Sequence, residues 1–151
     1  MIGCIIQART GSSRLPGKIM MSVNDNDTVL SFGIKQVQFS KLIDKIVIAT
    51  TDLVEDDIIS DYIKKLNISC FRGKSKDVLD RYYECAKKFS FSTIVRITSD
   101  CPLIDYTIID SIVSKFLKNK YDYLSNVHPI TTFPTGTDVE VFSFKSLEKS
   151  W

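Results

Sequence analysis

The chain has 151 residues, of which 44% are hydrophobic and 25% are charged, and its formal net charge at neutral pH is +2. This composition excludes a disordered or low-complexity chain, and so small a charge gives no reason to expect nucleic acid as a partner. No apolar run approaches the roughly 18 residues of a membrane span, and the N-terminus lacks the basic region of a signal peptide. We therefore expect one cytoplasmic domain over residues 1–151, without a membrane or nucleic-acid partner.

Buried apolar runs alternate with helical periods along the chain. The runs predict strands at residues 2–7, 45–50, 68–71, 93–98, 122–125 and 138–144. Apolar residues three and four apart predict helices at 27–39, 55–66, 75–89 and from about Thr107 onward, and a further helix begins after residue 144. The apolar stripes of these helices, which include Ile58, Val78, Leu79 and Leu117, are expected to face the core. The alternation predicts an α/β protein: a three-layer α/β/α, Rossmann-like fold with a mostly parallel central sheet.

The cysteine and histidine content gives no sign of a zinc site. The four cysteines are scattered without a C-x-x-C pair, and we expect reduced thiols that mostly fill core space: Cys4, Cys70, Cys85 and Cys101. His128 is the only histidine and is expected in a loop. No base beside Cys101 is evident, so the sequence disfavours it as a nucleophile.

The first strand opens into a loop rich in glycines and cations, within the segment IIQARTGSSRLPGK at residues 5–18. Five residues separate Gly11 from Gly17, and Lys18 is followed by isoleucine, so the segment is not a Walker P-loop. Gly11 and Gly17 still allow close approach of the backbone to a ligand, and Arg9, Arg14 and Lys18 offer charged donors. The segment therefore favours phosphate binding over its alternative, a basic surface turn.

A second informative strand exit is RITSDCPLID at residues 96–105. Asp100 follows a buried strand, where a carboxylate can hold a hard cation against phosphate oxygens. We expect Asp105 to cap the next helix, and Thr107 with Asp110 match a capping box, so Asp110 is taken as structural. Arg96 lies within the strand and needs either an acidic neighbour or an anionic ligand.

The third exit is FPTGTDVEV at residues 133–141, where two acids alternate with apolar residues. On a strand, Asp138 and Glu140 would share one face. That face either contacts a substrate or is simply solvated, and the spacing alone does not decide between the two.

Together these segments resemble the cytidylyltransferase family that makes CMP-activated acidic sugars, which includes the CMP-Kdo and CMP-sialic acid synthetases. Within it the chain looks most like the branch of spore-coat polysaccharide biosynthesis protein F. The segments that carry the resemblance are QARTGSSRLPGK, RGKSKDVLDRYYECA, RITSDCPLID and PTGTDVEVFSF. The resemblance implies the nucleotide-diphospho-sugar transferase fold, CTP and an acidic sugar as substrates, and Mg²⁺ as cofactor.

The resemblance also implies a role for individual residues. The nucleotide would be bound by Ala8, Arg9, Gly11, Ser12, Arg14, Lys18, Asp77 and Arg81, the last two helping to close the base pocket. Arg9, Lys18 and Asp100 would be catalytic, with Asp100 holding Mg²⁺, and the acceptor sugar would lie near Arg96, Asp138 and Glu140. From the residues alone, Asp77 and Arg81 could equally form an i,i+4 ion pair on a helix.

Several departures leave alternatives open. Ser99 stands where the family often has glycine, and Tyr106 where proline is frequent. The family is longer and carries a second metal-binding acid near its C-terminus, so the chain is expected to lack the C-terminal part of the family domain. The rivals are a nucleotidyltransferase using another NTP or a sugar phosphate, and a nucleotide-binding domain without catalysis. A homodimer through the segment after Phe144 is also expected from the resemblance.

Overall fold

A computed structural model describes residues 1–12, 14–127, 131 and 133–151, so the predicted loop position of His128 lies outside the described residues. Strands and helices alternate as predicted. In chain order they are β1 Ile2–Gln7, α1 Val29–Gln38, β2 Lys45–Thr51, α2 Asp57–Lys65, β3 Ser69–Gly73, α3 Val78–Lys88, β4 Thr93–Thr98, α4 Tyr106–Lys118, β5 Tyr123–Ser125, β6 Glu140–Ser143 and α5 Phe144–Ser150. Two 3-10 turns, Lys18–Met20 and Val54–Asp56, follow β1 and β2.

The strands form one mostly parallel sheet, which confirms the predicted fold class. Their order is β3-β2-β1-β4-β6-β5, and the pairs among β1, β2, β3 and β4 are parallel. β6 runs antiparallel to both of its neighbours, β4 and β5. The chain leaves β1 toward β2 and later returns to β1's other side as β4, so the strand order reverses between β1 and β4. Ligands of open α/β sheets bind at such a point, beyond the carboxyl ends of the strands.

Helices cover both faces of the sheet. On one face, α1, α2 and α4 pack on alternate residues of β1, β2, β4 and β6, forming a core that includes Ile6, Ile48 and Val95. On the other, α3 and α5 pack on the residues between them, including Ile5, Val47 and Ile94. The central strands are buried on both sides, which explains why they read as continuous apolar runs.

Most helix starts are set by a polar side chain. Thr28 and Ser31 form a reciprocal capping box at α1, and Asp105 accepts a hydrogen bond from the Thr107 backbone N–H at 2.7 Å, which confirms the predicted cap of α4. The predicted capping box of Thr107 with Asp110 is wrong, because Asp105 is the N-cap and Thr107 already lies within the first turn of α4. Asp110 instead accepts from the Ser40 hydroxyl and, at 3.1 Å, from the Lys41 backbone N–H, so it is structural in a different way.

Some residues predicted to face the core are exposed. Ile59 and Ile63 are fully buried on α2, which leaves Ile58 on its flank with 54% of its surface exposed. Leu117 and the first-turn residues Val78 and Leu79 are also partly exposed. All four cysteines are unpaired, as predicted. Among the described residues, the helices are too short or too polar to cross a bilayer.

Candidate active site

A cleft lies at the carboxyl ends of β1 and β4, where the strand order reverses. Its walls come from the loop after β1 and from the end of β4. The lining residues are Gln7, Arg9, Gly11, Ser12, Arg14, Lys18, Ile19, Arg96, Thr98, Ser99 and Asp100. The structure therefore brings together most of the predicted loop residues and Asp100.

The loop after β1 is closed on itself by backbone hydrogen bonds. The Thr10 carbonyl accepts from the backbone N–H of Ser12 at 2.8 Å and from that of Gly17 at 3.0 Å. Gly17 has a φ of 69°, the left-handed region that favours glycine. Lys18 follows immediately and begins the 3-10 turn. Closure of the loop thus fixes where Lys18 enters the cleft.

Lys18 and Asp100 form a hydrogen-bonded ion pair across the cleft. Burial by itself would raise the pKa of Asp100, but hydrogen bonds from Lys18 and Thr98 lower it below its ordinary value. Asp100 is therefore an ionised carboxylate at neutral pH, and its direct partner is the lysine that was expected to bind phosphate. Both remain partly exposed, with 28% and 37% of their side-chain surfaces open.

Arg96 is the cation predicted to need an acidic neighbour or an anionic ligand. It pairs with Glu140, its register partner on the adjacent antiparallel strand. Burial would lower the pKa of Arg96, but Tyr82 and Glu140 raise it, so the guanidinium stays charged. Arg96 lines the cleft and Glu140 reaches it through this pair.

Asp138 does not lie on a strand, because β6 begins at Glu140, so the predicted shared strand face is wrong. Its charge acts on Cys101, the residue that follows Asp100 in the chain, and Asp138 itself does not line the cleft. Burial, followed by the charges of Asp100 and Asp138, raises the pKa of the Cys101 thiol, which also contacts the Thr98 hydroxyl at 3.3 Å. A thiol whose pKa is raised is a poor nucleophile, as the sequence indicated.

Three of the predicted nucleotide residues do not line the cleft. Ala8 is buried in the core. Asp77 caps α3 by accepting from the Asp80 backbone N–H at 2.9 Å, and Arg81 is 1% exposed and donates to the Lys74 carbonyl at 2.8 Å. No ion pair joins Asp77 to Arg81 in the described structure, so that alternative is wrong. Burial lowers the pKa of Arg81.

The charges in the cleft suit a phosphate anion, whose oxygens can also serve as ligands of a bound cation. Arg9, Arg14 and Lys18 supply positive charge around one carboxylate, Asp100. Across the described ranges, no three His, Cys, Asp or Glu side chains are grouped so that they could hold a metal by themselves. Magnesium commonly uses one or two carboxylates and completes its shell with phosphate oxygens and water. Asp100 fits this kind of site, in which phosphate supplies part of the ligand set.

The structure adds residues that the sequence reasoning missed. Gln7, Ile19, Thr98 and Ser99 line the cleft because they end β1 and β4 or follow the loop. The side-chain oxygen of Gln7 is buried and has no hydrogen-bond partner within the described part of the chain. In the sequence, the only indication that Gln7 and Thr98 belong to the site was their position at the end of a predicted strand. Several other residues share that position, so it did not single these two out.

Comparison with known proteins gives a consistent family. The chain matches the cytidylyltransferase family over residues 3–151. It is 36% identical over 122 residues to the spore coat polysaccharide biosynthesis protein SpsF of Bacillus subtilis, covering 79% of this chain and 51% of that protein. It is 31% identical over 118 residues to the 3-deoxy-manno-octulosonate cytidylyltransferase of Fusobacterium nucleatum, covering 77% and 46%.

A solved structure agrees with these relatives. The cytidylyltransferase from Leptospira borgpetersenii serovar Hardjo-bovis superposes with a TM-score of 0.92 at 42% identity, covering 98% of this chain and 62% of that one. The chain spans about half the length of the curated relatives it matches. Because the family match extends over nearly every residue and the fold agrees with it, the chain belongs to the cytidylyltransferase family.

Proposed function

We propose that the complete protein activates an acidic sugar with CTP, giving a CMP-sugar and pyrophosphate for polysaccharide or glycan biosynthesis. The observation that carries the proposal is the cleft between β1 and β4, where Lys18 and Asp100 meet. Family membership supports the nucleotidyl-transfer chemistry. The position of this cleft at the reversal of strand order supports its use as the substrate site.

The cationic side of the cleft would receive the triphosphate. Arg9, Arg14 and Lys18 would donate charged hydrogen bonds to phosphate oxygens, and the backbone of Gly11 and Ser12 would approach the same group. For Lys18 this requires exchanging its bond to Asp100 for bonds to phosphate. Such donors stabilise the negative charge that accumulates on the departing pyrophosphate. Ala8, Asp77 and Arg81 would act less directly, since Ala8 and Arg81 are buried and the exposed Asp77 caps α3.

Asp100 would hold Mg²⁺, which when bound supplies charge neutralisation at the phosphates. This role is supported by the lowered pKa of Asp100 and by its place in the cleft with the cations. The Asp100 carboxylate would become available to Mg²⁺ when Lys18 turns away from it toward the triphosphate. The two residues would therefore act together: Lys18 binds the triphosphate, and its movement away from Asp100 exposes that carboxylate.

The acceptor would enter from the side of β4 and β6. Arg96 would bind the carboxylate of the sugar, or the sugar oxygens that lie nearest the phosphates. Glu140 and Asp138 would contact the hydroxyl groups of the sugar. Gln7 offers an unused acceptor oxygen at the same edge. A sugar hydroxyl oxygen then bonds to the α-phosphorus while the bond from that phosphorus to the bridging oxygen breaks. The electron pair leaves with pyrophosphate and the hydroxyl proton passes to solvent.

The experiment uses the full-length protein and separates nucleotide choice from catalysis. Thermal shifts with CTP, UTP, GTP and ATP, each with Mg²⁺, identify the nucleotide. Pyrophosphate release is then measured with CTP and a panel of acidic sugars, for the wild type and for Asp100→Ala. We expect CTP to stabilise the protein most and Asp100→Ala to lose most turnover. Stabilisation by CTP without turnover on any sugar would point to a non-catalytic nucleotide-binding protein, and preference for another NTP would replace CTP.

The cellular setting belongs to the same proposal. We place the protein in the cytoplasm, as a homodimer that contributes to a surface polysaccharide such as a spore coat. Light scattering of the full-length protein tests the dimer. Loss of a CMP-sugar from extracts of a deletion strain tests the setting.

A further inference from the structure

Asp56 is a buried carboxylate outside the residues that line the cleft. It is 1% exposed and lies at the end of the 3-10 turn after β2. It accepts hydrogen bonds from the Thr10 backbone N–H and the Thr10 hydroxyl, both at 2.7 Å, and from the Thr51 hydroxyl. All of its described side-chain partners thus join β2's exit to the loop after β1.

The direction of this carboxylate is unusual for its place in the chain. Asp56 occupies the N-cap position of α2, where an aspartate normally accepts from the helix's own first-turn N–H groups. Here its side chain makes no such bond. It is turned instead toward Thr10, which lies 46 residues away in sequence. The helix therefore lacks the stabilisation of a side-chain cap, and the carboxylate anchors the loop after β1 instead.

The residue it holds, Thr10, is the closing point of the loop. The N–H and hydroxyl of Thr10 donate to Asp56, while its carbonyl accepts from Ser12 and Gly17. The group that Asp56 orients and the carbonyl that closes the loop therefore belong to the same residue, Thr10. Lys18 follows Gly17, so its entry into the cleft depends on this arrangement.

The segment that carries Asp56 is fixed by hydrogen bonds from the neighbouring strand β3. Arg72 on β3 donates from Nε to the Thr51 carbonyl at 2.9 Å and from Nη2 to the Leu53 carbonyl at 2.8 Å. These bonds fix the segment that leads from β2 to Asp56. The loop after β1 is thereby tied through Asp56 to two neighbouring strands of the sheet.

We propose that Asp56 is a positioning residue that orients Thr10 and so keeps the loop after β1 closed in its nucleotide-binding form. The proposal rests on the proposed function for its consequence, which is tighter CTP binding. Its structural part, closure of the loop, stands without any nucleotide. Asp56 is not among the residues that line the cleft, so it acts through Thr10.

The test compares Asp56→Ala with Asp61→Ala, a change to an exposed acid on α2. In the nucleotide-free protein, amide hydrogen exchange at Ser12 and Gly17 should speed up about tenfold or more in Asp56→Ala, because one charged hydrogen-bond acceptor contributes about that factor. Exchange in the central strands should stay as in the wild type. The dissociation constant for CTP with Mg²⁺ should rise about tenfold or more by the same reasoning. Asp61→Ala should change neither.

Thr10 supplies a second route if Asp56→Ala does not fold. Thr10→Val removes the hydroxyl and keeps the shape, whereas Thr10→Ser keeps the hydroxyl, so exchange and CTP affinity should be impaired in the first and restored in the second. Combining Thr10→Val with Asp56→Ala should add little to the larger single effect. Unaltered exchange at Gly17 in folded Asp56→Ala, or in Thr10→Val, overturns the proposal. If the wild type fails to bind CTP, the proposed function fails, while the exchange data still decide the role of Asp56.

Discussion

Replacing Lys18 with alanine should separate the stability of the fold from its capacity to bind nucleotide. The ion pair with Asp100 has 28% and 37% of its side-chain surfaces exposed, so water screens it and it contributes about 0–1 kcal/mol to unfolding free energy. A charged hydrogen bond to a phosphate in the cleft contributes about 1.5–3 kcal/mol, which corresponds to a ten- to hundredfold or somewhat larger loss of affinity. Binding should therefore suffer far more than stability.

The assay pairs urea unfolding with titration calorimetry of CTP–Mg²⁺ and pyrophosphate release, all on the full-length protein. Lys64→Ala, which changes an exposed lysine in the last turn of α2, is the matched control and should behave as the wild type. We expect Lys18→Ala to unfold within about 1 kcal/mol of the wild type while losing most turnover. Wild-type affinity and turnover in Lys18→Ala would refute the assignment of the loop as the triphosphate site.

Three further predictions concern stability. A Cβ at Gly3 would lie 2.2 Å from ring carbons of Phe91, which is 2% exposed, so Gly3→Ala should lower the unfolding free energy by about 1–3 kcal/mol. Gly33→Ala, in the interior of α1 with its nearest contact at an ordinary 3.5 Å, should raise it by about 0.5–1 kcal/mol, and thermal unfolding distinguishes the two. Burial would raise the pKa of Asp56, but the hydrogen bonds from Thr51 and Thr10 lower it below its ordinary 3.8. The ionised Asp56 therefore stabilises the folded protein above that pH, and this stabilisation is lost as the pH falls through the lower native pKa. Urea unfolding at pH 5 and pH 3 should show a smaller loss in Asp56→Asn than in the wild type, and an equal loss would contradict this sign.

The fold could be predicted because its signals are local and periodic. The apolar run of β1, buried on both faces, and the alternation with helices were enough to indicate a mostly parallel three-layer sheet. The loop after β1 was recognisable because its glycines and cations are contiguous in sequence. Exposed flanking residues such as Ile58 were misjudged, since a helical period does not state how a helix is rotated on the sheet.

The partners in the site could not be predicted in the same way. Glu140 was expected to share a strand face with Asp138, yet it pairs with Arg96 because β6 lies antiparallel to β4 in that register. Likewise, Glu55, Asp56 and Asp57 are three consecutive acids, and nothing in their order shows that the middle one is buried against Thr10.

By itself, the sequence determined the succession of elements and the chemical character of the loop that leaves β1, because both depend on neighbouring residues. The tertiary structure alone decided that Lys18 meets Asp100, 82 residues later, and that Asp56 holds Thr10. Such contacts arise where parallel strands end at the same edge of a sheet. Strand order and register set that meeting, and they are properties of the packed sheet as a whole.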